Sequence, residues 1–235
     1  MLDQVEGRVK GGPAARLIFD LDGTLIDSAP TICAAGNALL AELGRPPLEA
    51  GTIMSLVGMG VGNLVAGMLR EGGGVPGGEL APHLARYRAI YEADPCAGTE
   101  PYPGVRETLA ALAEDRHGLG VCTQKPDPSA LRILRGLGLM PPITGFTGGE
   151  TLDVLKPDAR MFWHCAGQLG EGPAIMIGDS EIDAATARAA EVPFVLHVPG
   201  YRKASVAEIA PDACLEDYGA LPAIVARLVN GRSPR

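Results

Sequence analysis

Asp20 and Asp22 stand two residues apart in Asp20-Leu21-Asp22-Gly23-Thr24, directly after a short apolar run. Where a strand continues as an extended turn, that spacing sends both carboxylates to the same side. One of them can attack a phosphoryl group, while the other gives the leaving oxygen a proton and later activates water. A second acidic pair, Asp179 and Asp183, is spaced four apart, from the end of another apolar run into a helical turn. Thr123 ends a third run, and Lys156 follows a fourth by a loop. In open α/β sheets ligands bind beyond the carboxyl ends of the strands. These side chains would therefore meet in one crevice.

Carboxylates crowded together repel, and without a cation at least one must take up a proton. A hard divalent ion with oxygen ligands removes the conflict, and Mg²⁺ is the usual choice beside phosphate. Phosphoryl transfer needs an in-line nucleophile, positive charge on the equatorial oxygens and a proton for the leaving group. Asp20 fits the first need, Lys156 and Mg²⁺ the second, and Asp22 the third. Thr123 and the backbone N–H of Gln124 can hold phosphate oxygens. Gly23 offers a turn without a Cβ where a ligand comes close.

The elements that must position these groups can be traced along the chain. Buried parallel strands read as short continuous apolar runs. Such runs lie at residues 15–20, 118–123, 143–147, 174–178 and 193–198, with a weaker one at 213–215. Helical spacing recurs between them, as in Val105, Leu109 and Leu112, in Leu131, Leu134 and Leu137, and in Met161, Cys165 and Leu169. Leu221, Ile224, Val225 and Leu228 close the chain on one face. Alternation of this kind predicts a Rossmann-like α/β core with a parallel sheet. Residues 28–99 break the rhythm, with no strand and helical segments around 32–43, 52–56, 63–69 and 80–93. The expected organisation is a core of residues 14–27 and 100–229, an inserted all-α unit of residues 28–99, and flexible termini at 1–13 and 230–235.

Composition narrows the function class. A net charge of −8 argues against nucleic acid and anionic membranes as partners. It also requires local cations if the ligand is an anion. No stretch approaches the roughly 18 apolar residues of a membrane span. The N-terminus has no apolar run of the signal-peptide kind. The five cysteines show no metal-ligand spacing and read as reduced core residues of a cytoplasmic protein.

Four segments in this order resemble the haloacid dehalogenase superfamily of phosphohydrolases. They are Phe19 to Ser28 (FDLDGTLIDS), Val121 to Pro126 (VCTQKP), Leu155 to Phe162 (LKPDARMF) and Ile177 to Asp183 (IGDSEID). The resemblance implies Asp20 as nucleophile, Asp22 as acid/base, and Thr123 and Lys156 as phosphate-binding groups. It also implies a Mg²⁺ held by Asp20, the backbone carbonyl of Asp22 and Asp179, with Asp183 in the outer shell. The insertion is similar to the four-helix cap of one subgroup. Within it and at its return, DSAP, VGMG and PYPGV look most like phosphoglycolate phosphatases, which implies 2-phosphoglycolate as substrate. Gln124 departs from the pattern, standing where Asn is usual.

Other readings stay open at this point. The ester could be pyrophosphate, a nucleotide or a sugar phosphate, the reaction a sugar-phosphate mutase step, or the chain a non-catalytic phospho-ligand sensor. The protein is expected as a monomer or homodimer acting on a small-molecule phosphate ester. Gly58-Met59-Gly60 is either a close approach to substrate or a helix-to-helix turn. Arg45, Arg70, Arg86 and Arg88 are the insertion's basic residues, and none stands out as partner for a substrate carboxylate. Lys125 reads as a solvated or structural lysine, the four histidines as ordinary surface or core residues, and Phe162 and Trp163 as packing a helix onto the sheet.

Overall fold

The computed structural model describes residues 14–231. In chain order the elements are β1 (Arg16–Phe19), β2 (Ile26–Asp27), α1 (Ala29–Glu42), α2 (Ala50–Met54), α3 (Val61–Glu71), α4 (Ala81–Ala93) and β3 (Glu100–Pro101). Then follow α5 (Val105–Glu114), β4 (Gly118–Cys122), α6 (Asp127–Gly136), β5 (Gly145–Thr147), α7 (Ala159–Gly167), β6 (Ala174–Gly178) and α8 (Glu181–Ala189). The chain closes with β7 (Phe194–His197), α9 (Val206–Ile209), β8 (Ala213–Leu215) and α10 (Leu221–Asn230).

Six strands form one parallel sheet in the order β5-β4-β1-β6-β7-β8. The sheet is wound in both directions from β1, so its crevice lies where β1 is flanked by β4 and β6. Successive side chains go to opposite faces. Leu17, Phe19, Val121, Ile175, Ile177 and Val195 pack on the face shared with α5, α6 and α10. Ile18, Met176, Phe194 and Leu196 pack on the opposite face with residues of α7 and α8. Two covered faces explain why these strands carry unbroken apolar runs.

The four helices α1 to α4 lie in sequence between β2 and β3. Pro30 stands in the first turn of α1, where its missing N–H costs nothing. Ile32, Leu39, Ile53, Val65, Met68 and Tyr87 are buried in the same continuous apolar set as the sheet's first face. The chain leaves and returns along a two-stranded antiparallel ribbon, with Ile26 beside Pro101 and Asp27 beside Glu100. Nothing in the sequence reading announced that ribbon, since two residues per strand carry no period.

Several expected boundaries shift. The strand expected at 143–147 begins only at Gly145, because Ile143 still turns back to the Leu139 carbonyl. On α6 the buried positions are Ser129, Ala130, Ile133 and Leu134, so Leu131 and Leu137 flank the core rather than centre it. Phe162 is buried as expected, but Trp163 is 41% exposed. Its ring instead receives the Arg16 guanidinium at 5.5 Å. Asn230 still ends α10; residues 1–13 and 232–235, expected as flexible, lie outside the described residues.

Candidate active site

The carboxyl ends of β1, β4 and β6 open into a cavity of about 130 Å³. Asp20, Asp22, Thr123, Gln124, Lys125, Lys156 and Asp179 line it from the sheet side. Val57, Gly58, Gly60, Val61, Leu64, Tyr87, Arg88 and Tyr91 line it from the helical insertion. The volume is below the roughly 300–1,000 Å³ of drug-sized pockets and suits a small ligand.

Asp20 continues β1, held there by its N–H donating to the Ile177 carbonyl at 2.8 Å. Its Oδ1 lies 3.0 Å from the Lys156 ammonium. That oxygen is buried and has no aligned hydrogen-bond partner among the described residues. Burial pushes the Asp20 carboxyl up to about 7; Lys156 opposes the shift, and Asp183 and Asp22 add to it. Asp22 points into the same cavity, as the two-residue spacing required. It accepts the Ser28 hydroxyl at 2.6 Å and the Lys125 ammonium at 2.9 and 3.1 Å.

Asp179 and Asp183 are buried at the end of β6 and in the first turn of α8. Ser180 and Asp183 form a reciprocal cap on that helix. Asp183 Oδ2 accepts the N–H groups of Asp179 and Ser180, and Oδ1 accepts the Lys156 ammonium at 2.6 Å. Both of its oxygens are therefore engaged. Asp179 accepts the Thr24 hydroxyl at 3.0 Å and the Tyr201 N–H at 2.6 Å. Its carboxyl is raised well above the usual range, by burial first and then by Asp183 and Asp20.

One carboxylate oxygen from each of Asp20, Asp179 and Asp183 falls within a 4.8 Å cluster. With two carboxyls held above their ordinary range by burial and by one another, this all-oxygen set fits a divalent cation. Lys156 offsets part of the negative charge. Burial alone would depress its ammonium, but Asp183 and Asp20 outweigh that and hold it protonated.

Thr123 is buried beyond β4, its N–H on the Thr147 carbonyl at 2.9 Å. Gln124 does something the sequence did not suggest. Its side-chain amide donates to the Gly58 carbonyl of the insertion at 2.6 Å. Gly58 and Gly60 line the cavity, while Met59 between them is 59% exposed. Gly23 has φ +82°, and a Cβ there would strike the Asp179 carboxyl and the Tyr201 ring. Only glycine fits that turn without strain.

Lys125, expected as solvated or structural, is not solvated: only 9% exposed, it pairs with Asp22 and lies 4.7 Å from the centre of the Tyr91 ring. The signal was present, because Thr123 and Lys125 have the same two-residue spacing past a strand end as Asp20 and Asp22. Three other supports were missed. His197 Nδ1–H donates to the Gly23 carbonyl at 2.7 Å, and the Tyr218 hydroxyl donates to the Thr24 carbonyl at 2.6 Å. The Tyr201 hydroxyl donates to Asp27 at 2.6 Å and accepts the N–H groups of Ser28 and Ala29. These contacts link residues more than 170 positions apart, so no local pattern could reveal them.

Among the insertion's arginines, only Arg88 reaches the cavity, and Glu150 holds it at 3.0 Å. Arg45 donates to the Leu69 and Gly74 carbonyls, and Arg86 pairs with Glu42 on the outside. All five cysteines are free. No helix among the described residues is long and apolar enough to cross a membrane.

The chain is similar to known proteins in sequence and fold. A phosphoglycolate phosphatase of Cereibacter sphaeroides is 38% identical over 214 residues, covering 91% of this chain and 98% of its own. One from Rhodospirillum rubrum is 41% identical over 212 residues, covering 87% and 88%. A crystal structure described as a predicted phosphoglycolate phosphatase from Haemophilus somnus superposes with a TM-score of 0.84 at 27% identity, covering 89% of this chain and 97% of that one. The model of the haloacid dehalogenase-like hydrolases matches residues 17–197. The Asp20–Lys156 pair and the acidic cluster lie inside that span, and the chain belongs to the haloacid dehalogenase-like hydrolase family.

Proposed function

We propose that this protein is a phosphoric monoester hydrolase that converts 2-phosphoglycolate to glycolate and phosphate through an aspartyl-phosphate on Asp20. The observation that carries the reading is the Asp20 carboxylate. It sits at the switch point of the sheet, beside Lys156 and facing the same cavity as Asp22. The names of the relatives support the choice of ester.

In this mechanism an Asp20 oxygen attacks phosphorus in line, and the P–O bond to the glycolate oxygen breaks. The Asp22 carboxyl gives that oxygen its proton. Lys156 and the Thr123 hydroxyl steady the equatorial oxygens as their charge develops. Water then attacks the aspartyl-phosphate, Asp22 takes the water's proton, and Asp20 is released with phosphate. Asp20, Asp179 and the backbone carbonyl of Asp22 would hold a divalent cation, Mg²⁺ in this reading, which supplies positive charge beside the transferring group. Asp183 serves indirectly, because its oxygens already orient Lys156 and the start of α8.

Residues 28–99 form the cap of this enzyme, and residues 14–27 with 100–229 its core. Closure of the cap over the cavity excludes bulk water from the first step. The free cysteines fit a cytoplasmic setting.

The test is phosphate release from a panel of esters with Mg²⁺ present. 2-Phosphoglycolate should give the highest kcat/KM, and Asp20→Asn should abolish its hydrolysis. A different ester preferred by about 10-fold, equal to about 1.4 kcal/mol of transition-state binding, overturns the substrate. Turnover by Asp20→Asn at the wild-type rate overturns the mechanism.

A further inference from the structure

We propose that the Lys125 ammonium and the Tyr91 hydroxyl form the subsite that takes the substrate's carboxylate, an inference that rests on the 2-phosphoglycolate reading above. Both residues line the cavity, one from the sheet side and one from α4. Two independent observations point to a ligand there.

One is the placement of the cations. Lys156 is divided between Asp20 and Asp183. Arg88 is half exposed and paired with Glu150, and Lys203 lies near Glu181 and reaches the Val57 carbonyl at 3.5 Å. Lys125 is the remaining buried ammonium of the cavity, and it lies on the Asp22 side, 2.9 Å from that carboxylate. Asp22 is the residue assigned to the leaving oxygen. In glycolate a single methylene joins that oxygen to the carboxylate, so a ligand whose leaving oxygen meets Asp22 delivers its second anion beside Lys125.

The other observation is the Tyr91 hydroxyl. Tyr91 is 6% exposed, and its buried hydroxyl oxygen lies beside the Lys125 ammonium, while its O–H has no acceptor among the described residues. Buried polar groups are rarely left so. A carboxylate with one oxygen on Lys125 can accept the Tyr91 O–H with the other. Ile32, Leu64 and Tyr87 make the neighbouring wall apolar, and they offer no competing charge. The ligand would thus bridge core and cap. An ester carrying a methyl in place of the carboxylate would leave the Tyr91 O–H unmet and Lys125 with Asp22 as its one carboxylate, a loss that sites of this kind discriminate against.

Ethyl phosphate is that ester. The readout is kcat/KM for 2-phosphoglycolate divided by kcat/KM for ethyl phosphate, with Mg²⁺ saturating, in wild type, Tyr91→Phe, Lys125→Met and Lys125→Arg. Dividing removes effects common to both esters, including any disturbance of Asp22 or of the fold. The ratio should be well above one in wild type. It should fall about 10-fold or more in Lys125→Met and about 3-fold or more in Tyr91→Phe, chiefly through KM for 2-phosphoglycolate, with partial recovery in Lys125→Arg. A high wild-type ratio unchanged in Tyr91→Phe and Lys125→Met overturns the subsite and leaves the substrate standing. A wild-type ratio near one overturns the substrate and the subsite together. If Lys125→Met fails to fold, Tyr91→Phe, which removes one atom and keeps the ring, decides the matter alone.

Discussion

Lys156 shows how much of this site depends on charge balance at single residues. Its side chain is 3% exposed and stands between two carboxylates at 3.0 and 2.6 Å. Removing it leaves both of them buried and uncompensated. Breaking a buried ion pair from one side typically costs about 3–5 kcal/mol. Lys156→Met should therefore lose stability on that scale, read by urea denaturation, together with activity. Adding Asp183→Asn should return part of the stability, because one stranded charge is gone, while activity stays lost. Recovery of activity in the double variant would show that Lys156 serves only to neutralise Asp183. At this scale the sequence was legible wherever a residue sits at a strand end, because the sheet fixes its direction. Asp20, Asp22, Thr123 and Asp179 could be placed at one cavity that way. For Lys125 the spacing from Thr123 gave the direction but not the burial, because its depth depends on Tyr91 lying above it, and that partner comes from a helix 34 residues earlier in the chain.

Gln124 raises the question of how elements meet. Its amide joins the loop after β4 to the turn between α2 and α3 through the Gly58 carbonyl. Lys203, on the loop after β7, reaches Val57 in the same turn. At the far side of the cavity Glu92 of α4 accepts Arg132 of α6 at 3.1 Å and also receives the Ser129 hydroxyl. The cap is thus clasped at two edges. Gln124→Ala removes one clasp on a partly exposed loop, so stability should change by no more than about 1 kcal/mol. Amide exchange at residues 57–61 should quicken, and kcat/KM should fall by roughly 5-fold as the closed cap becomes less populated. Unchanged exchange in that turn would show that the bond contributes nothing to closure. Sequence patterns served the sheet well and the cap contacts poorly, for a physical reason. A strand buried on two faces must be apolar throughout, whereas a clasp made of one amide and one carbonyl leaves no period to read. The ribbon of β2 and β3 escaped notice in the same way.

For the molecule as a whole, the acidic site sets a link between pH, cation and stability. The Asp20 carboxyl is raised by burial from 3.8 to about 7, and Asp179 is raised as well. A carboxyl with a raised folded pKa binds its proton more tightly in the folded state. Stability is therefore greatest below the unfolded value and is lost as pH rises toward the folded one. Cation-free protein should lose this contribution between about pH 4 and about pH 7. The neutral, buried His197 acts in the opposite sense. Its pKa is depressed by burial, so its contribution is lost as pH falls below 6.5. Taking the difference in Tm between Mg²⁺-loaded and chelator-treated protein cancels the histidine term. That difference should grow from pH 5 to pH 8 and reach roughly 5–10 °C at about 100 times Kd. A difference that stays flat across that range would mean the acidic cluster holds no cation. The ribbon that carries the chain out of the sheet and back has a consequence of another kind. Its paired strands put the points of departure and return about 5 Å apart, a gap that a two-residue turn can close. The sheet can thus accept any helical insert whose ends lie that close, or none at all. Descent can then exchange the insert as a cassette, changing which molecules are admitted while the carboxylates at the strand ends stay where they are.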